Sequence, residues 1–344
     1  MAYTTINKSS AFQANNNYDG TGSTLNLTGF DFQPDLNITT KCTSGNNWVA
    51  TDSVRGATKA VYPDLTSAEG TQSGGLTAFN SDGYTIGSGG DFNDNGAPYQ
   101  SWNFKAGTTS GITQGGASIT PSSYSFNATS GFSIIAYTGT GSAATIPHGL
   151  GKAPKAIWVK RRDDANGWCV YFKGNGAGYY QRLNTADARA SDNNIWNGTD
   201  PTTNVFSVGT DSDVNSNGGT YVAYCFAETQ GYSKIGTYNG NGSADGVHVY
   251  CGFRPSTVYI KERASGSKQW FCYNDQRLGY NTENRPIAFN NNSAESSNYY
   301  TLLTATGFKP LSSDSALNVN GNDYNYMAFG QTIVGTNNVP NNAR

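Results

Sequence analysis

One pattern occurs three times in this chain, and it constrains the fold more than any other feature. Tyr18-Asp19-Gly20-Thr21-Gly22-Ser23 returns as Tyr137-Thr138-Gly139-Thr140-Gly141-Ser142 and again as Tyr238-Asn239-Gly240-Asn241-Gly242-Ser243. A proline follows in each copy (Pro34, Pro154, Pro255), then a tryptophan (Trp48, Trp168, Trp270). Near the end of each copy stands an Asn-Gly: Asn95-Gly96, Asn217-Gly218 and Asn320-Gly321. An aromatic stretch closes it: Tyr99/Trp102/Phe104, Tyr221/Tyr224/Phe226 and Tyr324/Met327/Phe329. Five landmarks in constant order and nearly constant spacing are a true internal repeat.

The period, roughly 100 residues, exceeds the 20–50 of solenoids and propeller blades, so each copy is expected to have its own core. The copies run over 11–105, 131–228 and 231–330. Residues 1–10 form a short polar arm and 331–344 a polar tail. Residues 106–130 are rich in Gly, Ser and Thr, which reads as a flexible linker or as an extended strand lying on a neighbour. Only Thr229 and Gln230 separate copies two and three, a stiff joint. Two shapes follow: three units imitating a trimer, or a rod of two stiff units with a third hinged at 106–130.

Composition sets the class of each unit. Of 344 residues, 42 are Gly and 13 % aromatic, while only 13 % are charged. Disordered chains are poor in aromatics and rich in charge. The residues that favour helices are scarce, whereas Gly and Asn supply turns and aromatics supply strands. Copy two shows the strands directly: Phe132 to Tyr137, Ala156 to Lys160, Trp168 to Phe172, Val205 to Val208 and Tyr221 to Phe226, divided by turn signals. The expected fold is all-β: three tandem antiparallel β-sandwich repeats, jelly-roll-like.

A net charge of −2 gives no basic footprint for nucleic acid. The apolar runs are strand-length, far short of the roughly 20 residues of a membrane helix, so membrane insertion is not expected. Met1-Ala2-Tyr3-Thr4-Thr5 lacks the pattern of a secretory signal, and assembly in a cytosol is expected. Cys42, Cys169, Cys225, Cys251 and Cys272 are odd in number and unpaired in spacing, so they read as free thiols inside strands.

Few residues suggest chemistry. The Gly-x-Gly-Ser passages read as tight turns, because no helix follows to cradle a phosphate. Asp213-x-Asn215-x-Asn217-Gly218 and Asp91-x-Asn93-x-Asn95-Gly96 resemble half of a calcium loop, but lack its distal glutamate. Asn-Gly before a strand reads first as a hairpin turn, leaving Asp213, Asn215 and Asn217 as weak calcium candidates. His148 and His248 occupy unrelated positions and read as structural or exposed. Lys160-Arg161-Arg162-Asp163-Asp164 and Lys261-Glu262-Arg263 mix signs, which suits a solvated loop or a partner contact. Paired carboxylates such as Asp163/Asp164 and Asp211/Asp213 lie in loops without an apolar pocket, so no enzyme and no cofactor is expected. The repeated tryptophans read as core. The unrepeated Tyr179, Tyr180 and Trp196 are the candidate surface aromatics for sugar contact.

Several passages resemble virion proteins of marine bacteriophages, those of cyanophages and pelagiphages. They include the opening Met1 to Ser9, Gly131-Phe132-Ser133-Ile134, His148 to Lys155, Tyr221 to Glu228, Gly231-Tyr232-Ser233-Lys234 and Gly240 to Gly246. The resemblance spans nearly the whole chain and departs at Gly330-Gln331, where such proteins more usually end Ala-Glu. It implies a tail-fibre-like structural protein on the particle surface, assembled in the host cytoplasm, that contributes to host-glycan attachment. Its expected partners are other virion proteins, a host-surface polysaccharide and further copies of itself. The alternative is a capsid decoration protein, and a remoter one a free lectin or glycosidase.

Overall fold

The structure, a computed structural model, describes residues 4–6, 8–43, 45–277 and 285–331. It is all-β, with antiparallel strands throughout its named sheets. Three large sheets share one strand order. The first runs Gln13–Asp19, Pro98–Phe104, Leu36–Lys41, Val49–Asp52, Lys59–Val61, Gly70–Thr71. The second runs Phe132–Thr138, Thr220–Phe226, Ala156–Arg161, Cys169–Phe172, Tyr179–Arg182, Ala190–Ser191, with Ser123–Asn127 added at its start. The third runs Ser233–Asn239, Asp323–Gln331, Arg254–Glu262, Phe271–Asn274, Ile287–Ala288. In each, the last strand of the unit inserts between its first and third.

A smaller sheet accompanies each large one: Leu25–Thr28 with Gly83–Ile86 and Leu76–Asn80, Ala144–Pro147 with Val205–Val208, and Val249–Tyr250 with Gly307–Pro310 and Thr301–Thr304. The large sheets are buried on both faces, and the sequence shows why. Along the second sheet Phe132, Ile134, Trp158, Val170, Phe172, Val222, Tyr224 and Phe226 point into one core shared by all three units. Their neighbours Ile135, Tyr137, Ile157, Val159, Tyr171, Ala223 and Cys225 point into a second core beneath the small sheet. Side chains alternate with period two, so burial of both faces produces continuous apolar runs.

The shared core closes the chain into a ring. Phe104, Phe226 and Phe329, equivalent residues of the three units, meet with ring centroids 5.9, 5.2 and 5.9 Å apart. Around them the repeated tryptophans link unit to unit. Trp168 Nε1 donates to Tyr62 O at 2.8 Å, Trp270 Nε1 to Arg182 O at 2.9 Å, and Trp48 Nε1 to Ala288 O at 2.9 Å. A backbone set repeats the cycle: Glu69 N to Arg162 O (2.8 Å), Arg189 N to Arg263 O (2.9 Å) and Glu295 N to Cys42 O (3.0 Å). Second reaches first, third reaches second, and first reaches third. The trimer-like shape describes this chain; the rod does not.

The seams differ in chemistry. Between first and second units, buried Arg55 binds Asp52 at 2.6 Å, Glu69 at 3.1 Å and the Tyr224 hydroxyl at 3.2 Å. Burial alone would raise the Glu69 carboxyl, but Arg162 and Arg55 hold it below its ordinary value. Between second and third, Asn325 Nδ2 donates to Asn175 Oδ1 at 3.1 Å and to Gln181 Oε1 at 2.9 Å. Between third and first, Thr257 Oγ1 donates to Asn15 Oδ1 at 2.8 Å and Ser256 Oγ to Gln13 Oε1 at 2.9 Å.

Several expectations need correction. Of the two readings of 106–130, the extended strand on a neighbour holds and the flexible linker does not. Ser123–Asn127 pairs with Phe132–Thr138, and Ala106 N donates to the Asp35 carboxylate at 2.8 Å. The arm is anchored: Ile6 is buried in the shared core, and Thr4 Oγ1 donates to Gln230 O at 2.6 Å. The tail lies outside the described residues except for Gln331, which ends the last strand. The five cysteines are free, but Cys42 and Cys251 sit just past strand ends rather than inside strands. The charged runs are only partly solvated: Asp163 and Asp164 are exposed, but Lys160, Lys261 and Glu262 are fully buried, and Arg162 binds Glu69 at 2.9 Å and Lys261 the Ala186 carbonyl at 3.1 Å across seams.

Candidate functional site

The most constant polar constellation of the chain is the pairing of each Gly-x-Gly-Ser turn with its Asn-x-Asn-Gly passage. In the second unit Asn215 is fully buried. Its Oδ1 accepts from Thr140 N at 2.8 Å, and its Nδ2 donates to Ser142 O (2.6 Å) and Gly209 O (2.7 Å). Asn93 does the same to Thr21, Ser23 and Gly87, and Asn318 holds Asn241 N and Ser243 O. The glycines follow from this close approach. A Cβ at Gly20, Gly139 or Gly240 would stand 2.1 to 2.3 Å from a carbonyl oxygen of the facing loop. Gly22, Gly141 and Gly242 have φ of +68°, +71° and +70°, which favours glycine.

Two stacked tyrosines support each lock. Tyr137 and Tyr221 are directly opposite across two strands, with centroids 5.0 Å apart. Tyr221 OH donates to Ser212 O and accepts from Ser216 N, both at 2.7 Å, while Tyr137 OH donates to Val214 O at 2.7 Å. Tyr18/Tyr99 and Tyr238/Tyr324 repeat the stack at 5.3 and 4.9 Å.

This arrangement answers the calcium expectation. Both amide atoms of Asn215 are committed to backbone groups. Asp213 pairs with Arg182 and accepts from Asn166 Nδ2 at 2.7 Å, so its oxygens face cations and donors already present. Asn217 lies against the Gly141 turn, and among the described residues no three His, Cys, Asp or Glu gather as metal ligands. The passage is not a hairpin either. Ser212–Asn215 is a helical turn, and the strands flanking it, Val205–Val208 and Thr220–Phe226, belong to different sheets.

Trp196 is not a surface residue. Only 2 % exposed, it packs edge-on to Tyr171 at 5.8 Å inside the second unit's outer core. It ends the helical turn Asn193–Trp196, whose N-cap Asp192 accepts from Asn194 N at 2.8 Å, and this turn aims the indole inward. Tyr179 is 38 % exposed on the strand Tyr179–Arg182, next to the edge strand Ala190–Ser191, with the Arg189 guanidinium 4.6 Å from its ring. Tyr180 is half-buried, with Arg182 at 5.0 Å. These two tyrosines are neighbours, but each already carries a cation on a face. Sequence reasoning missed Tyr250, the most exposed large apolar side chain among the described residues, at 64 %. The repeat alignment holds its signal, because the equivalent positions are Thr28 and Pro147.

Groups that carry chemistry elsewhere serve structure here. His148 is buried, its Nε2 3.2 Å from Thr202 O and its Nδ1 accepting from Leu150 N, and burial lowers its pKa to about 4. Burial pushes the Cys42 thiol up to about 11 and those of Cys225 and Cys251 to about 12. Such thiols are poor nucleophiles at neutral pH. No described helix is long and apolar enough to cross a membrane.

Fold and site together define an all-β protein of three large sheets closed around one core, with polar turn locks at each unit. The chain belongs to the family described as a domain of unknown function (DUF7483), whose model matches residues 8–332 and so takes in all three large sheets. No curated protein matches it.

Proposed function

We propose that this protein is a structural component of a bacteriophage virion, displayed on the particle surface, tail-fibre-like, and contributing to attachment to a host-surface glycan. The observation that carries the reading is the direction of its reactive groups. Its thiols, its buried histidine and its buried lysines are committed to packing and internal hydrogen bonds, while Tyr179 and Tyr250 stand exposed, Tyr179 beside the Arg189 guanidinium. That surface suits adhesion by many weak contacts, in the manner of tyrosine-rich paratopes. The ring and its seams suit a body that must persist outside a cell. The resemblance to marine phage virion proteins supports the same reading, and other virion proteins, further copies of the chain and a host polysaccharide are its partners. Catalysis, a cofactor and nucleic-acid binding form no part of it.

A second reading, a capsid decoration protein, is favoured by one observation. Three equivalent units around one axis fit the local three-fold positions of a shell. Imaging of particles with the protein labelled separates the two. A few copies at the tail, with host range altered by surface mutations, support the first; many copies over the shell support the second. Absence from the particle overturns both.

A further inference from the structure

Where the fold needs the three units alike, they are alike. A large side chain that occurs once and faces solvent therefore has no structural reason to be there. Tyr250 is such a residue. It lies on the short strand Val249–Tyr250 opposite Gly307, just as Thr28 lies opposite Gly83 in the first unit. Pro147 takes the place in the second. The fold accepts a small or a cyclic residue at this point, and burial gains nothing from an exposed tyrosine.

Tyr250 borders a cleft of about 370 Å³ at the joint between the second and third units. That volume stands at the low end of the roughly 300–1,000 Å³ of small-ligand sites. Its polar walls are Glu228, Gln230, Ser233 and Lys234. Glu228 Oε1 accepts from Ile235 N at 2.9 Å and lies 3.4 Å from Lys234 Nζ, so an acceptor and a donor are held side by side with compensating charge. The Gln230 carbonyl is tied to Thr4 at 2.6 Å, and Ser233 Oγ accepts from Thr229 N at 2.8 Å. Cys251 lines the floor with a thiol that burial keeps protonated, which leaves the cleft without covalent chemistry.

We propose that this cleft is a saccharide subsite. The Tyr250 ring offers a stacking face for the C–H side of one pyranose, and Glu228, Lys234 and Gln230 offer the paired acceptors and donors that ring hydroxyls require. Because the acid and the ammonium compensate each other, a neutral hexose or N-acetylhexosamine fits better than an acidic sugar. The source of the sugar, a host glycan, rests on the attachment reading; the subsite itself does not.

The test is titration of the intact chain with neutral hexoses, N-acetylhexosamines and uronic acids, followed by ligand-observed NMR and a glycan array. Binding of a neutral sugar, weakened about tenfold or more by Tyr250→Ala with an unchanged melting temperature, supports the subsite. Glu228→Gln, which keeps an acceptor for Ile235 N, weakens binding several-fold. No binding of any of the sugars, or binding that Tyr250→Ala does not alter, overturns the subsite. Particle imaging separates this from the virion reading. Sugar binding by a protein absent from particles overturns the virion reading alone, and a particle-borne protein whose sugar binding Tyr250→Ala does not alter overturns the subsite alone.

Discussion

The indole of Trp168 donates its Nε1 hydrogen to the carbonyl oxygen of Tyr62 at 2.8 Å, and in doing so ties the second unit to the first. Trp270 and Trp48 make the same bond at the other two seams. A repeated tryptophan is thus both a core side chain and a clasp. Trp168→Phe keeps most of the buried ring but removes the inter-unit donor from the Tyr62 carbonyl, which keeps only Leu65 N at 3.1 Å. Denaturant unfolding is expected to show a loss of about 1–3 kcal/mol. An unchanged midpoint would mean that the clasp adds nothing to packing.

The turn lock gives a second expectation. Asn215→Ala removes three hydrogen bonds from a fully buried site and orphans Thr140 N and Gly209 O, while Ser142 O keeps only the Thr140 hydroxyl. A loss of roughly 2–4 kcal/mol is expected. Calcium should not rescue the variant, nor should a chelator shift the melting temperature of the native chain. A stabilising response to calcium would restore the metal reading of Asp213, Asn215 and Asn217.

Asp64 gives a pH dependence. Asn184 and Asn290, its equivalents, each accept the backbone N–H of their own unit's repeated tryptophan, at 2.9 Å to Trp168 and Trp270. Asp64 does this for Trp48, but it is a carboxyl with a buried, unpartnered Oδ1, and burial raises its pKa to about 7. The unfolded value is near 3.9. Between about pH 4 and 7 the folded state keeps a proton that the unfolded chain has lost, so stability falls as pH rises through that window. Asp64→Asn should remove this slope and stabilise the protein at neutral pH. A variant with the native pH profile would show that Asp64 is not the source.

Trp196→Ala is expected to destabilise the chain by about 3–5 kcal/mol, through the cavity left beside Tyr171. Adsorption and sugar binding, measured below the melting transition, should remain. Lost binding with unchanged stability would return Trp196 to the surface.

Much of the fold was legible because burial on both faces writes itself into sequence. The run Ala156-Ile157-Trp158-Val159 is apolar since alternate residues serve different cores. The paired Gly and Asn passages were legible as turns, but not as partners of each other, because Gly139 and Asn215 meet only after the last strand inserts beside the first. Ring closure was legible only as one of two shapes, the trimer-like one beside the rod. Composition left 106–130 open between a flexible linker and an extended strand on a neighbour, and the bond from Ala106 N to Asp35 and the pairing of Ser123–Asn127 favour the second. Trp196 misled because occurring once was taken to mean exposed. Tyr250 was missed because its equivalents, Thr28 and Pro147, align only once the register of the small sheets is known.

Small-angle X-ray scattering of the isolated protein tests the central claim, closure of three units around Phe104, Phe226 and Phe329. A compact body of this length has a radius of gyration of about 20 Å, and that is the expected value. Three units strung as a rod would give a clearly larger radius of gyration and a correspondingly long maximum dimension, and that result would contradict the ring.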